Sequence, residues 1–335
     1  MDYIIYTGEF VISDRGGIVE NRHRVHAAAV DVAGKVLDVL GDPSRVTLIR
    51  SAAKPIQAIT VVESGAMERF GFDEADLALM CSSGNARGGT LIGGHPAISP
   101  AVIESWTKDR FKPSPVYNAY SGNHIDVIAG AKAIGTEITS YHMLNHPIRA
   151  MIKFLLEDLT YPSNDIKWVL DSCNKYSPAI SLQSLALAYA ALAHATASIH
   201  DATDKYARAM TQIYDAMVQH PENIGSDGRF CSALIAAYGR ALVGKGGGDG
   251  CYAIAVRESE DTRRLGAQGA VGIALKIEDG NSDVMDAAAA ELLEQLRIGA
   301  RETWRRLDCF HRGDIRNSTG VITRKYTFPF KLRTV

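Results

Sequence analysis

The sequence predicts a mixed α/β (α+β) protein whose antiparallel sheet is assembled from both chain ends around an inserted helical region. Three observations lead there. Strand-like apolar runs occur at 27–32 and 35–39 near one end, and at 251–256 and 270–276 near the other. Between them the apolar residues recur at helical spacing in Ala- and Leu-rich segments. No internal repeat or low-complexity linker divides the chain.

Ala33-Gly34 is a short turn between the first two runs and signals a hairpin. Helices are expected over 56–66, 125–134, 148–156, 181–193, 205–218 and 232–242, and 77–80 reads as the end of a strand or helix. The runs 251–256 and 270–276 are separated by a charged stretch through Arg264. The Asp279-Gly280-Asn281 turn then precedes an amphipathic helix over 282–296. The whole chain, 1–335, is read as a single catalytic unit. Its sheet lobe comes from about 1–50 and 245–335, and its helical lobe from about 51–244.

Composition removes several function classes. Hydrophobic residues make up 46% and charged residues 22% of the 335, an ordinary globular balance. A net charge of −2, with both signs spread along the chain, gives no field for nucleic acid or an anionic membrane. No apolar run approaches the ~18 residues of a membrane helix. The opening Met1-Asp2-Tyr3-Ile4-Ile5-Tyr6 lacks the basic and apolar regions of a signal peptide. The five cysteines are odd in number and scattered, so no disulfides and a cytoplasmic location are expected.

The chemistry is concentrated in Arg50-Ser51-Ala52-Ala53-Lys54-Pro55. Ser51 and Lys54 are three apart, on one side of a helical turn, and Pro55 places Ser51 at or just before a helix start. A serine hydroxyl needs a base, and a desolvated lysine can supply one. Ser-x-x-Lys is the nucleophile motif of β-lactamases and penicillin-binding proteins. By itself it occurs often by chance, and its plain reading is a solvated helix start. Two further segments follow in the order those enzymes use. Ser121-Gly122-Asn123 has the S-x-N form, and Lys245-Gly246-Gly247 has the K-[TS]-G form with glycine in the middle. Ser121 would relay a proton, Asn123 hold a substrate amide and Lys245 attract a carboxylate. Backbone N–H groups at Ser51 and near Gly247 would hold the oxyanion.

Competing readings are weaker. Gly239 to Lys245 fits G-x-x-x-x-G-K, but Gly246 stands where Ser or Thr must hold Mg²⁺, and the flanks run helix to strand rather than the reverse. The loop Cys81-Ser82-Ser83-Gly84-Asn85 either brings Ser83 beside the nucleophile or is a plain turn. His142 and His146 lack the Glu of a zinc-helix motif, and His23 and His26 fall on opposite faces of an expected strand. No metal site or other cofactor is expected.

The chain resembles the rhizobial-type L-asparaginases, the asparaginase II family, along nearly its whole length. The resemblance is carried by Arg15 to His23, Arg50 to Gln57, Val62 to Ala66, and Asp171-Ser172-Cys173-Asn174. It continues in His220-Pro221-Glu222, Gly228-Arg229-Phe230, Lys245 to Gly250 and Gly272 to Gly280. It implies a serine β-lactamase-like fold, a homodimer, a small-molecule amide substrate, and two Ser–Lys pairs, Ser51 with Lys54 and Ser83 with Lys245. Asp171 and Arg229 match family positions near the substrate or its zinc.

The departures are informative. The family reads Cys-Ser-Gly-Lys-His where this chain has Tyr120-Ser121-Gly122-Asn123-His124, so Cys173 is the one zinc-site cysteine retained. Family Cys-Ala-Ser-His becomes Cys81-Ser82-Ser83-Gly84, and Arg-Phe-Asp-Thr becomes Arg229-Phe230-Cys231-Ser232. The nucleophile is kept while polar groups around the substrate change, and such changes alter specificity. The leading expectation is an asparaginase-like amidohydrolase working through an acyl-enzyme. An amide cyclase or acyl transferase using the same site, and a catalytically silent binding protein, are the alternatives.

Overall fold

The computed structural model describes residues 8–82, 108, 122–160, 166–171, 174–199, 204–225, 228–312, 315–316 and 318–335. In chain order its strands are β1 (Phe10–Arg15), β2 (Ile18–Asp31), β3 (Val36–Leu40), β4 (Val46–Leu48), β5 (Lys167–Leu170) and β6 (Tyr176–Ser181). They continue with β7 (Leu242–Gly246), β8 (Cys251–Val256), β9 (Val271–Ile277), β10 (Ile315–Arg316), β11 (Ile322–Thr327) and β12 (Arg333–Thr334). The main sheet is antiparallel and runs β10-β11-β1-β2-β9-β8-β7, with β3 also pairing β2 and β12. The central contact joins the two ends of the chain: Ala27 of β2 lies opposite Leu275 of β9. The sheet from both ends and the helices between them follow the expected arrangement.

Strand alternation divides the interior into two apolar cores. Ala28, Val30, Ala253, Ala255 and Ala274 face the helical region, whereas Ala27, Ala29, Ile254, Ile273 and Leu275 face the helix Ser282–Gln295. Small side chains on the first face let the helix Leu182–Ser198 lie directly on the sheet. At Gly272 the approach is closest, since a Cβ there would stand 1.7 Å from the Ala186 carbonyl oxygen and 2.6 Å from the Ala190 nitrogen. Strands β8 and β9 are therefore covered on both faces and read as nearly continuous apolar runs, with Lys276 the charged exception near the end of β9.

The boundaries differ from expectation in instructive places. Residues 251–256 match β8, and 270–276 is shifted by one residue in β9. The helix expected over 232–242 is Phe230–Tyr238, followed by a 3₁₀ turn, and Leu242 already belongs to β7. The span 56–66 is two helices, Lys54–Glu63 and Ala66–Phe70, broken at Gly65 with φ +75°. Residues 77–80 close the helix Glu74–Met80. A small sheet, β4-β6-β5, lies within what reads as an all-helical region. The Ala33-Gly34 turn and the last long helix after Asp279-Gly280-Asn281 are as expected, and Asn281 caps that helix.

Candidate active site

Ser51 sits in a one-turn 3₁₀ helix, Arg50–Ala53, that runs straight into the helix Lys54–Glu63 with Pro55 in its first turn. Four contacts fix this turn. The Ile49 N–H donates to the Pro178 carbonyl of β6 at 3.1 Å, and the buried Tyr189 hydroxyl donates to the Ala52 carbonyl at 2.7 Å. Arg50 adopts φ +48°, a left-handed value that a side-chain-bearing residue rarely takes, and its guanidinium is held by two carboxylates. Nε lies 3.1 Å from Asp171 Oδ2 and an Nη lies 3.0 Å from Asp249 Oδ2. Gly247 completes the set. A Cβ at Gly247 would stand 2.6 Å from the Ile49 carbonyl oxygen, so the missing side chain lets the end of β7 touch the Ser51 turn.

Beside this junction is a cavity of about 470 Å³. Ser51, Gln57, Asp171, Arg229, Gly246 and Gly247 contribute to its wall. Its size suits a small polar molecule. Two more non-glycine residues with positive φ flank it, Asn174 at +63° and Asp249 at +56°. Unusual backbone conformations gathered at one cavity are the pattern of a functional site.

The structure gathers some predicted residues and separates others. Ser51, Asp171, Arg229, Gly246 and Gly247 all reach the cavity. Lys54 is buried on the inner side of the same turn, with Nζ donating to the Ser82 carbonyl at 2.5 Å. Lys245, expected to assist proton transfer with Ser83 or to attract a carboxylate, is fully buried on β7, where Nζ donates to the Gly246 carbonyl at 2.6 Å. Burial drives its pKa below the ordinary lysine value. Near the segment expected to hold the oxyanion, the Gly247 N–H itself is given to the Cys251 carbonyl at 2.7 Å, closing the β7–β8 hairpin. Ser83, Ser121, Cys173 and the Asn123 side chain lie outside the described residues. Among the histidines, His23 and His26 are buried against Asp279 and Glu278, and His146 caps the helix Pro147–Leu159. The Gly239–Lys245 segment runs from helix into strand, against the phosphate-loop order.

Several residues at the site carry no sequence signal. Lys175 is buried at its edge, and Asp249 anchors Arg50 from a turn. Asp286 lies in the wall from the helix Ser282–Gln295, and burial pushes its carboxyl up to about 7. Met285, next to it, packs toward Gly246, whose Cβ position lies 3.5 Å from the Met285 methyl. Behind Lys54, the buried Asp126 is held above the usual carboxylate range by burial, and the His124 ring is driven down to about 4 by the same cause.

The donor set does not fit the family's zinc. Tyr120 and Asn123 replace the cysteine and lysine that would bind it, a phenol and an amide in place of stronger ligands. Asp171 is engaged with Arg50. Among the described residues, the one group of three His, Cys, Asp or Glu side chains close enough to share an ion is Glu291, Glu294 and His311, none of which lines the cavity.

Comparison with known proteins adds the family. The sequence model of the family described as L-asparaginase II matches residues 11–89 and 90–327. No curated protein matches the chain significantly. Among solved structures, a crystal structure of Mglu and one of native Mglu in 4.3 M NaCl are 15% and 16% identical, each with a TM-score of 0.44. They cover 82% and 83% of this chain, which spans 67% and 63% of theirs, about two thirds. Matched by the family's pattern over nearly all of its length, the chain belongs to the L-asparaginase II family of amidohydrolases.

Proposed function

We propose that the protein hydrolyses a small carboxamide through an acyl-enzyme on Ser51. The observation that carries this reading is the Ser51 turn itself: cavity-facing, preceded by a left-handed Arg50, and closed against Gly247 with Lys54 buried on its inner side. Lys54 acts as the base. It takes the Ser51 proton as Oγ attacks the carbonyl carbon. The C–N bond then breaks, and the lysine returns that proton to the departing nitrogen as ammonia. Water attacks the ester in the second half, giving its proton to Lys54, and the Ser51 oxygen leaves and is reprotonated. Each step conserves the one proton that shuttles between serine, lysine and leaving group.

In this reading the Ser51 N–H supplies one oxyanion donor. Since the Gly247 N–H is committed to the hairpin, the second comes from the next residue along the edge, Gly248. Lys245 acts from behind the wall, as a buried amine that sets the local potential rather than as a direct ligand. Water is the acceptor in hydrolysis; an internal amine in its place would give a cyclised product, whose mass is lower by one water than the acid's.

The test is intact-protein mass spectrometry after incubation with a serine-acylating probe, alongside ammonia release from a panel of small amides. A single adduct on the Ser51 peptide is expected, with at least a thousandfold loss of turnover in Ser51→Ala. Undiminished turnover in Ser51→Ala would overturn the assignment.

A further inference from the structure

Proline at position 55 deprives two carbonyls of the Ser51 turn of a regular partner. In an α-helix the Ser51 carbonyl would accept the N–H of residue 55, four positions on. In a 3₁₀ helix the Ala52 carbonyl would accept that same N–H, three positions on. Pro55 has no N–H to give. Other donors stand in. The Lys54 N–H donates to the Ser51 carbonyl, one residue short of the α-helical partner. The Tyr189 hydroxyl, fully buried on the helix Leu182–Ser198, donates to the Ala52 carbonyl at 2.7 Å.

These replacements set the winding of the turn. The Ala52 N–H reaches the Ile49 carbonyl at 2.9 Å and the Lys54 N–H reaches that of Ser51, and both bonds close over three residues. The segment through Ser51 is therefore wound at three residues per turn, and the regular α-helix takes over only at Lys54. At the tighter winding, residues three apart eclipse, whereas in an α-helix they stand about 60° apart. Ser51 and Lys54 are such a pair. Their side chains leave the turn in one direction, Ser51 at the cavity end and Lys54 one turn deeper and buried. A proline in a first helical turn is ordinarily just harmless. Here its missing N–H withholds the bond that would open the turn to α-helical winding.

We propose that Pro55 and Tyr189 are positioning residues that keep the Ser51 hydroxyl and the Lys54 amine in line for acyl transfer. The proposal rests on Ser51 and Lys54 being the reacting pair. Neither Pro55 nor Tyr189 lines the cavity, so both act through the turn. A donor restored at position 55 lets the turn relax toward α-helical winding and rotates Ser51 away from Lys54. A misplacement of about 1 Å at a reacting centre is enough to slow a reaction ~100-fold. The restored donor also makes the Tyr189 hydroxyl redundant, because the freed main chain then supplies the Ala52 carbonyl with a partner.

The test uses p-nitrophenyl acetate, which transfers its acetyl group to a nucleophilic serine and releases p-nitrophenol. Acetylation rate at saturating ester and the half-saturating ester concentration are measured, with the adduct located on the Ser51 peptide by mass. Pro55→Val gains the N–H and nearly keeps the volume of the ring; Pro55→Ala gains the N–H and loses volume. Both are expected to acetylate at least tenfold more slowly, with the half-saturating concentration within about twofold of the parent's. Tyr189→Phe is expected to slow the parent roughly threefold or more and to add almost nothing in Pro55→Val. Parental acetylation by Pro55→Val, slowing confined to Pro55→Ala, a raised half-saturating concentration in place of slowing, or an equal Tyr189→Phe effect in both backgrounds overturns the proposal. Should the Pro55 variants fail to fold, Tyr189→Phe, which removes one oxygen, decides alone: slowing supports the proposal and parental acetylation overturns it. A parent that takes no acetyl group on Ser51, or a Ser51→Ala protein that still releases ammonia from small amides, sinks the nucleophile assignment instead.

Discussion

Arg50 and Asp249, both in the left-handed region at φ +48° and +56°, are joined by a 3.0 Å ion pair at the edge of the Ser51 cavity. Asp249 is 74% exposed, so in water the pair contributes little by itself. Its value is geometric. Arg50 reaches Asp171 at the same time, and the two carboxylates hold the guanidinium whose backbone sets the direction of Ser51.

Replacing Arg50 by alanine keeps the unfavourable backbone and loses the anchors. Turnover is expected to fall about 10–100-fold, with about 1 kcal/mol lost in stability. Arg50→Gly relieves the backbone conformation and is expected to unfold at higher temperature than Arg50→Ala while staying as inactive. Thermal unfolding and ammonia release, measured on both variants, separate strain from anchoring.

Gly247→Ala puts a methyl carbon 2.6 Å from the Ile49 carbonyl oxygen. Backbone faces backbone there, so neither side can rotate away. The end of β7 is expected to part from the Ser51 turn, lowering stability by about 1–3 kcal/mol and turnover at least tenfold. Chemical denaturation gives the first quantity and steady-state assay the second.

Asp286 makes stability depend on pH in a stated direction. Its carboxyl loses its proton near 3.8 when unfolded and near 7 when folded. Between those values the folded state binds the extra proton, so stability declines as pH rises from about 4 to about 7 and stays lowered above. Asp286→Asn is expected to match the parent below pH 4 and to exceed it above pH 7. The gain, discounted for partial exposure, is on the order of 1–2 kcal/mol. Denaturant midpoints at pH 4, 6 and 8 check it, and a constant difference across the three would rule out titration of Asp286 as its origin.

Gly272→Ala addresses the fold rather than the site. A methyl group 1.7 Å from the Ala186 carbonyl cannot be accommodated unless the helix Leu182–Ser198 lifts off the sheet. Loss of soluble protein, or destabilisation by more than about 4 kcal/mol, is expected. The equivalent change at Gly34, a turn glycine with open space around it, is expected to cost only about 1 kcal/mol.

What could be read in advance followed from local signals. The run 251–256 is apolar throughout because β8 is covered on both faces, and Pro55 marked the helix start behind Ser51. Strand β7 was hidden because Gly244 and Gly246 give it little intrinsic strand preference; pairing with β8 imposes the conformation. The boundary at Leu242 was lost for the same reason, since leucine continues the preceding helical pattern equally well. Asp286 was invisible for a different one. Its spacing on an amphipathic helix predicts a water-facing acid, and only tertiary packing turns that position into the cavity. Lys245 shows what a motif carries: the pattern located the strand edge, whereas the burial of its amine is set by tertiary packing.

Because β2 pairs with β9, Ala27 must wait on the ribosome for Leu275 to emerge. At the usual 5–20 residues per second, that leaves the central strand without one neighbour for roughly 12–50 s. Its alanine-rich edge is a template for pairing with other nascent chains throughout that interval. The Ser51 turn is equally premature, since its contact with Gly247 forms only after that stretch leaves the exit tunnel. The cavity beside Ser51 is therefore completed only late in synthesis.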